Sequence, residues 1–304
     1  MTGNELEFMA QGTTAYQMNV KEHEKSLVSI LEEQCFKTSA LHPYPAENWN
    51  RENVYSYMGF DVFYAENNWG EMEILRWVAS DKSAYKKVIE IDEESTEKQF
   101  VFLVTMQNHG GYTVQWEGFE NDVFLNYGNE YPQAEQFLSL MQESDRALKE
   151  LLEYYEKSSE STMIVLFGDH QPAVEEEFYE ELYGKELQEL SFEEKQSRYV
   201  TPFIIWANYE IEEQNGVEIS SNYLGSYVLE QAGVELTPYN RFLLKVMDEV
   251  PVIGIGGIKT KEGNWYKWEG LPSVYGELME NYKILQYNNI YDRKNRVESM
   301  FSIN

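Results

Sequence analysis

Three stretches of this chain set a histidine beside another hydrogen-bonding side chain just past an apolar run. Asp169 and His170 follow TMIVLF and Gly168. A carboxylate and an imidazole at a strand end suit a divalent cation that accepts mixed oxygen and nitrogen ligands, such as Mn2+ or Zn2+. The same pair can be structural, with the aspartate capping the next helix and the histidine bonded to backbone. Gly168 before the pair and Gln171-Pro172 after it favour the metal. Asn108 and His109 follow FVFLVTM and Gln107. Both can donate hydrogen bonds to an ester oxygen, and the imidazole can stabilise developing charge; a loop-capping pair is the alternative. His42 opens the stretch HPYPAENWNR. There Arg51 offers a bidentate grip on phosphate and Trp49 an apolar wall for a small polyol. A proline-rich loop with a packed tryptophan and a surface arginine competes with that reading. The remaining histidine, His23, lies in KEHEK and reads as a solvated residue on a polar helix. Thr2 has a hydroxyl that becomes a nucleophile only where a metal or base lowers its pKa.

The elements that must position these residues follow from hydrophobic periodicity. Helices are expected over residues 26–34, 134–155 and 221–232, where apolar side chains recur at helical spacing. Strands are expected over 38–41, 100–106, 162–167 and 202–206, all short continuous apolar runs. Apolar strands separated by helices indicate an α/β fold with a mostly parallel sheet flanked by helices. Ligands of such sheets bind beyond the carboxyl ends of the strands, where two of the histidine-bearing loops fall. Residues 175–194 are acidic with scattered aromatics and read as a surface helix pair. From Val252 the chain turns glycine-rich and aromatic, which predicts a hairpin and then a helix over 274–282. The expected division is a domain of residues 1–240 and a small C-terminal extension of residues 241–304.

Composition narrows the function. Asp and Glu total 53 against 24 Lys and Arg, a net charge of −29. Such a surface repels nucleic acid, so no nucleic-acid partner is expected, and an anionic substrate needs a local cation or arginine. The single cysteine, Cys35, rules out an intramolecular disulfide. No stretch approaches the ~20 apolar residues of a membrane span, and the first residues lack the pattern of a signal peptide.

In order and spacing, these segments resemble the lipoteichoic acid synthase and phosphoglycerol transferase family. That family belongs to the sulfatase group of the alkaline-phosphatase-like superfamily. The most specific piece is IVLFGDHQP at 164–172, supported by VTMQNHGGY at 104–112, LHPYPAENWNRENVYSYMGFDVF at 41–63 and TPFIIWAN at 201–208. TGNELEFMAQG at 2–12 resembles the stretch that opens with the family's nucleophilic threonine, although a glutamate expected shortly after it is displaced. The resemblance runs from Thr2 to about Pro238. It implies that Asp169 and His170 are metal ligands, joined by the Thr2 hydroxyl, with Mn2+ the leading cation and Zn2+ or Mg2+ open. It implies that Thr2 and His109 are catalytic, and that His42, Trp49, Arg51 and Asn108 bind substrate.

The family also carries membrane helices and a metal-ligand glutamate upstream of the threonine. The resemblance therefore implies a catalytic domain without its N-terminal part, with weak metal binding and little activity alone. In the complete protein, phosphoglycerol would pass from a phosphatidylglycerol-like lipid to a cell-envelope acceptor at the outer face of the plasma membrane, through a phospho-threonine intermediate. Membrane contact would come only through the missing anchor. Two other readings stay open: a soluble phosphodiesterase or sulfatase-type hydrolase, and a catalytically incomplete remnant that binds envelope glycan. A sulfatase of the usual type carries C/S-x-P-x-R, and EQCFKTS around Cys35 has no proline or arginine at those places.

Overall fold

β1 (Lys37–His42) is the middle strand of a parallel sheet, between β2 (Val62–Ala65) and β5 (Gln99–Leu103). The computed structural model describes residues 1–9, 14–126 and 130–303. Thr38 to His42 are all buried, as a strand covered on both faces requires. Ala40 and Leu41 are successive and so point to opposite faces. Ala40 joins a core with Val28, Val54, Tyr55 and Phe60. Leu41 joins another with Trp69, Ala84 and Ile91. The register sets Leu41 against both Tyr64 and Leu103, so the three strands finish at one level.

Parallel neighbours need crossover connections. α3 (Arg51–Met58) returns the chain from β1 to β2, and α4 (Asp81–Glu93) precedes β5. Between them β3 (Ile74–Leu75) and β4 (Val78–Ala79) form a small hairpin with Arg76 in its turn at φ 60°. On the N-terminal side lie α1 (Ala15–Met18) and α2 (Leu27–Glu32), the latter capped by the Ser26 side chain. His23, expected on a helix, sits instead in a turn at φ 59°. KEHEK has no apolar stripe to dock, and tertiary packing is what holds most helices.

α5 (Pro132–Tyr155) begins with a proline, whose fixed φ suits a first helical position. β6 (Met163–Phe167), α6 (Glu176–Tyr183), α7 (Phe192–Ser197) and β7 (Phe203–Ala207) follow. β6 and β7 pair antiparallel, from Met163 against Ala207 to Phe167 against Phe203. Continuous apolarity reports burial rather than strand direction, so this reversal has no signature in the sequence. Burial here is itself partial, since Phe167 and Ile204 are about half exposed.

α8 (Ser221–Gln231), α9 (Pro238–Glu249) and α10 (Ser273–Ile290) enclose the C-terminal core with α11 (Glu298–Phe301). β8 (Val252–Gly254), β9 (Gly257–Lys259) and β10 (Trp265–Lys267) form a three-stranded antiparallel sheet, one strand more than the expected hairpin. α10 runs well past residue 282 because Gln286, Asn289 and Ile290 are also buried. The division expected at residue 240 falls inside α9, and the core beyond it takes in Tyr223 of α8 and Phe8. Among the described residues no helix is long and apolar enough to cross a membrane.

Candidate functional site

His42 closes β1 and is fully buried. Its Nδ1 lies 2.9 Å from the carbonyl oxygen of Val104, which can only accept, so Nδ1 carries the proton. Nε2 is then a bare acceptor, buried and without a partner among the described residues. Burial above all, opposed by the bond to Val104 and helped by the nearby Arg51 and His109, lowers the His42 pKa to about 4. His42 is therefore neutral at pH 7 and can receive a hydrogen bond from a hydroxyl group.

Arg51 starts α3, with Nη1 3.3 Å from the carbonyl of Asn48. Just before it, Trp49 and Asn50 both have φ 58°. Two successive non-glycine residues in the left-handed region cost on the order of 1 kcal/mol or more each. Trp49 lies outward, the residue 60% exposed. It does not pack into the loop, as the competing reading required.

β5 ends at the level of His42, where Val104 N donates to Leu41 O over 2.9 Å. The loop beyond is tied down by groups the sequence did not reveal. Gln107 is buried; its Oε1 accepts from Asp81 N at 2.9 Å, and its Nε2 donates to Ser144 Oγ at 2.9 Å. Ser144 donates its proton to Asp81 Oδ2 at 2.6 Å and accepts from Asn108 Nδ2 at 2.7 Å. The amide N–H of Asn108 is thus engaged with α5, leaving Oδ1 buried and unpartnered among the described residues. Arg76 Nη2 grips the carbonyls of Gln107 and His109 at 2.9 and 2.7 Å. The His109 ring stays exposed and stands edge-on to Trp77. Tyr44 and Trp77 link it by ring contacts to His42, so the two strand ends share one aromatic wall. Asp81, after a serine N-cap, looks like an ordinary helix start, and nothing in sequence pairs it with Ser144.

Asp169 and His170 lie just past β6, with side chains 83% and 75% exposed. The ground beneath them is firm. Gly168 N donates to Pro202 O at 3.1 Å, Thr201 Oγ1 donates to Gly168 O at 2.9 Å, and a Cβ at Gly168 would stand 3.1 Å from Thr201 Cβ. His170 Nδ1 donates to the carbonyl of Gln171 at 2.8 Å, which frees the Nε2 lone pair. A backbone acceptor on one ring nitrogen is the usual way a metal-ligating histidine is oriented. Nε2 and Asp169 Oδ2 are 3.6 Å apart. Two ligands each about 2.1 Å from a tetrahedral ion stand about 3.4 Å apart, so the pair fits a divalent cation as two of its ligands. Among the described residues no group of three or more His, Cys, Asp or Glu side chains could hold a metal. Burial pushes the Tyr112 phenol up to about 12, and the charge of Asp169 adds to the rise.

Thr2 lines a cavity with Ser26, Asn222, Thr237, Asn240 and Asn289, with about 20 Å3 for the centre of a water molecule. Neither Asp169 nor His170 lines it. The structure thus links His42 to His109 through the Tyr44 and Trp77 rings, with the Arg51 charge felt at His42.

The sulfatase family profile matches residues 2–234. The chain belongs to the sulfatase family. A Rhizobium meliloti (strain 1021) protein named for cyclic β-1,2-glucan modification is 29% identical to this sulfatase-family chain over 313 residues, covering 99% of it. Lipoteichoic acid synthase of Staphylococcus aureus (strain USA300) is 25% identical over 179 residues, covering 55% of it. The chain spans 48% of the length of the first protein, and the second alignment takes in 26% of the synthase. In structure, the family member resembles the Streptococcus pyogenes phosphoglycerol transferase GacH, solved with sn-glycerol-1-phosphate. The TM-score is 0.76 at 21% identity, covering all of this chain and 75% of that one. The α/β architecture read from the sequence is the one found.

Proposed function

We propose that this chain forms the donor-binding part of a metal-dependent phosphoglycerol transferase of the cell envelope. It would act at the outer face of the plasma membrane on a phosphatidylglycerol-like lipid. The observation that carries this reading is the neutral Nε2 of buried His42, unpartnered among the described residues and within reach of the charge of Arg51. An acceptor for a hydroxyl next to a fixed cation suits a phosphate ester of a small polyol. The names of the synthase and transferase relatives agree with it.

In this reading Arg51 pairs with phosphoryl oxygens, and His42 Nε2 accepts a hydrogen bond from a glycerol hydroxyl. The exposed Trp49 indole covers the carbon face of the glycerol. His109 donates to an oxygen on which charge develops. Asp169 and His170 would hold a divalent cation, Mn2+ first among the choices, which supplies Lewis-acid stabilisation to the phosphoryl group. The Thr2 oxygen bonds to phosphorus as the bond to the diacylglycerol oxygen breaks, and the Thr2 proton leaves to the departing alkoxide. An acceptor alcohol then displaces Thr2, and its proton restores the threonine hydroxyl. Water in place of that alcohol makes the protein a phosphodiesterase, the second reading. The glucan-modifying relative favours a glycan alcohol as acceptor.

The test uses the full-length gene product, Mn2+ and phosphatidylglycerol with a labelled headgroup. Release of diacylglycerol with label on an acceptor glycan is expected, with loss in Arg51→Ala and Thr2→Ala. A wild-type protein that releases no diacylglycerol, or a Thr2→Ala variant at full rate, overturns the proposal.

A further inference from the structure

Residues beyond 234 lie outside the family match, yet side chains from them seize the backbone next to Thr2. The Gly3 carbonyl accepts two phenolic hydroxyls, Tyr282 of α10 at 2.6 Å and Tyr239 of α9 at 2.8 Å. Asn222 Nδ2 donates to the Tyr282 oxygen at 2.9 Å and sets the direction of its proton. Two residues on, the Gln286 amide spans the Glu5 backbone. Its Oε1 accepts from Glu5 N at 2.6 Å and its Nε2 donates to Glu5 O at 2.9 Å. The Glu7 carboxylate then takes Gly256 N at 3.1 Å and the Trp268 indole N–H at 3.2 Å. Phe8 wedges edge-on between Trp268 and Tyr282.

These contacts replace secondary structure. Between Thr2 and Phe8 the chain has only one short 3-10 turn, Leu6–Phe8. Buried main-chain groups must find partners, and here side chains of α9 and α10 provide them. The fit is close enough to dictate a residue type. Gly3 has φ +65°, and a Cβ there would fall 2.6 Å from Leu243 Cδ1 of α9. Tyr282 and Gln286 are each at most 2% exposed, so the hydrogen bonds are shielded from water.

We infer that α9 and α10 form a positioning clamp that fixes the direction of the Thr2 hydroxyl by holding the carbonyl of Gly3 and both backbone groups of Glu5. This rests on the reading of Thr2 as the nucleophile. Tyr282, Tyr239 and Gln286 are positioning residues: they act on the neighbours of Thr2 and touch no substrate. The C-terminal segment is then part of the catalytic unit. An attacking oxygen must lie within a few tenths of an ångström of its line, and an error of about 1 Å costs about a hundredfold in rate.

The experiment uses the full-length gene product with Mn2+ and the variants Tyr282→Phe, Gln286→Met and both together, all nearly equal in volume to the residues replaced. Hydrogen exchange at the Glu5 amide reads the clamp, and kcat and KM for the donor lipid read its consequence. In the double variant, exchange faster by about tenfold or more is expected. With it kcat falls by about tenfold or more, while donor KM stays within about twofold. Tyr239→Phe, which removes the other hydroxyl from the same carbonyl, takes the place of Tyr282→Phe in the double variant if the latter does not fold, and the same pattern is expected. Released exchange with unchanged kcat overturns the inference, and so does a Glu5 amide that is unprotected in the wild type. Thr2→Ala separates the two readings. If it turns over at the wild-type rate, the nucleophile assignment fails, whatever the exchange data say of the clamp.

Discussion

Acidification should unfold this protein through His42 in a way that one substitution can isolate. Burial holds its folded-state pKa at about 4, against 6.5 for the free side chain. Above pH 6.5 the imidazole is neutral in both states and contributes no pH dependence. Below it the unfolded chain takes up a proton that the folded chain refuses. Stability is therefore lost from about pH 6.5 downward, and the loss levels off once the folded form also titrates, near pH 4. Fully expressed, the difference is worth about 3 kcal/mol, and at pH 4.5 about 2.5 kcal/mol. The perturbation is His42→Asn, whose amide N–H can replace the bond from Nδ1 to Val104 but which does not titrate. Urea unfolding at pH 7 and pH 4.5, for wild type and variant, cancels the carboxylates common to both. The wild type should lose about 2.5 kcal/mol more than the variant, which is a midpoint difference of about 1 M for a slope near 2.5 kcal/mol/M. Equal losses in the two proteins, within about 0.5 kcal/mol, would refute the reasoning. So would an imidazole that titrates near 6.5 by NMR in the folded state.

Ser144→Ala should cost about 2–4 kcal/mol, because it strips the buried Asp81 of a donor and Gln107 and Asn108 of their shared acceptor; thermal or urea unfolding reads it. His170→Ala should abolish Mn2+ binding, measured from the EPR signal of the free ion. Its unfolding free energy should stay within about 0.5 kcal/mol of wild type, since the ring is exposed. Trp49→Gly should raise stability by up to about 1 kcal/mol by relieving the left-handed backbone. The same variant should raise KM for the donor lipid, so unfolding and kinetics move in opposite senses.

What the sequence made legible was local. The apolar runs before His42, Gln107 and Gly168 all became strands, with His42 closing β1 and Gly168 following β6, while β5 stops at Leu103, short of the expected 106 and of Gln107. A short apolar run states its burial by itself. The opposed directions of β6 and β7 were not legible, because pairing direction depends on how residues 168–202 return. His23 was misread because a polar stretch with helix-forming residues lacks the packed face that would make it helical. The Asp81–Ser144–Gln107 network was invisible for another reason. It joins residues far apart in sequence, and each alone reads as a cap or a surface group. The same holds for Gly3, whose need to be glycine comes from its left-handed φ of +65° together with the packing of Leu243.

The seam between Gly168 and the start of β7 has a consequence for variation in this protein. Pro202 and Thr201 both bond Gly168, and Gln171 Nε2 donates to the Val200 carbonyl, so the segment after α7 runs directly under Asp169. An inserted or deleted residue between Ser197 and Phe203 would slide this support by one step of the chain, about 3.3 Å. The connection at residues 209–219, across the far end of the same strand pair, carries no such tie to Gly168. Length changes should accumulate in the second loop and be purged from the first. In an engineering library the two loops would separate into one that can be rewritten and one whose count is fixed.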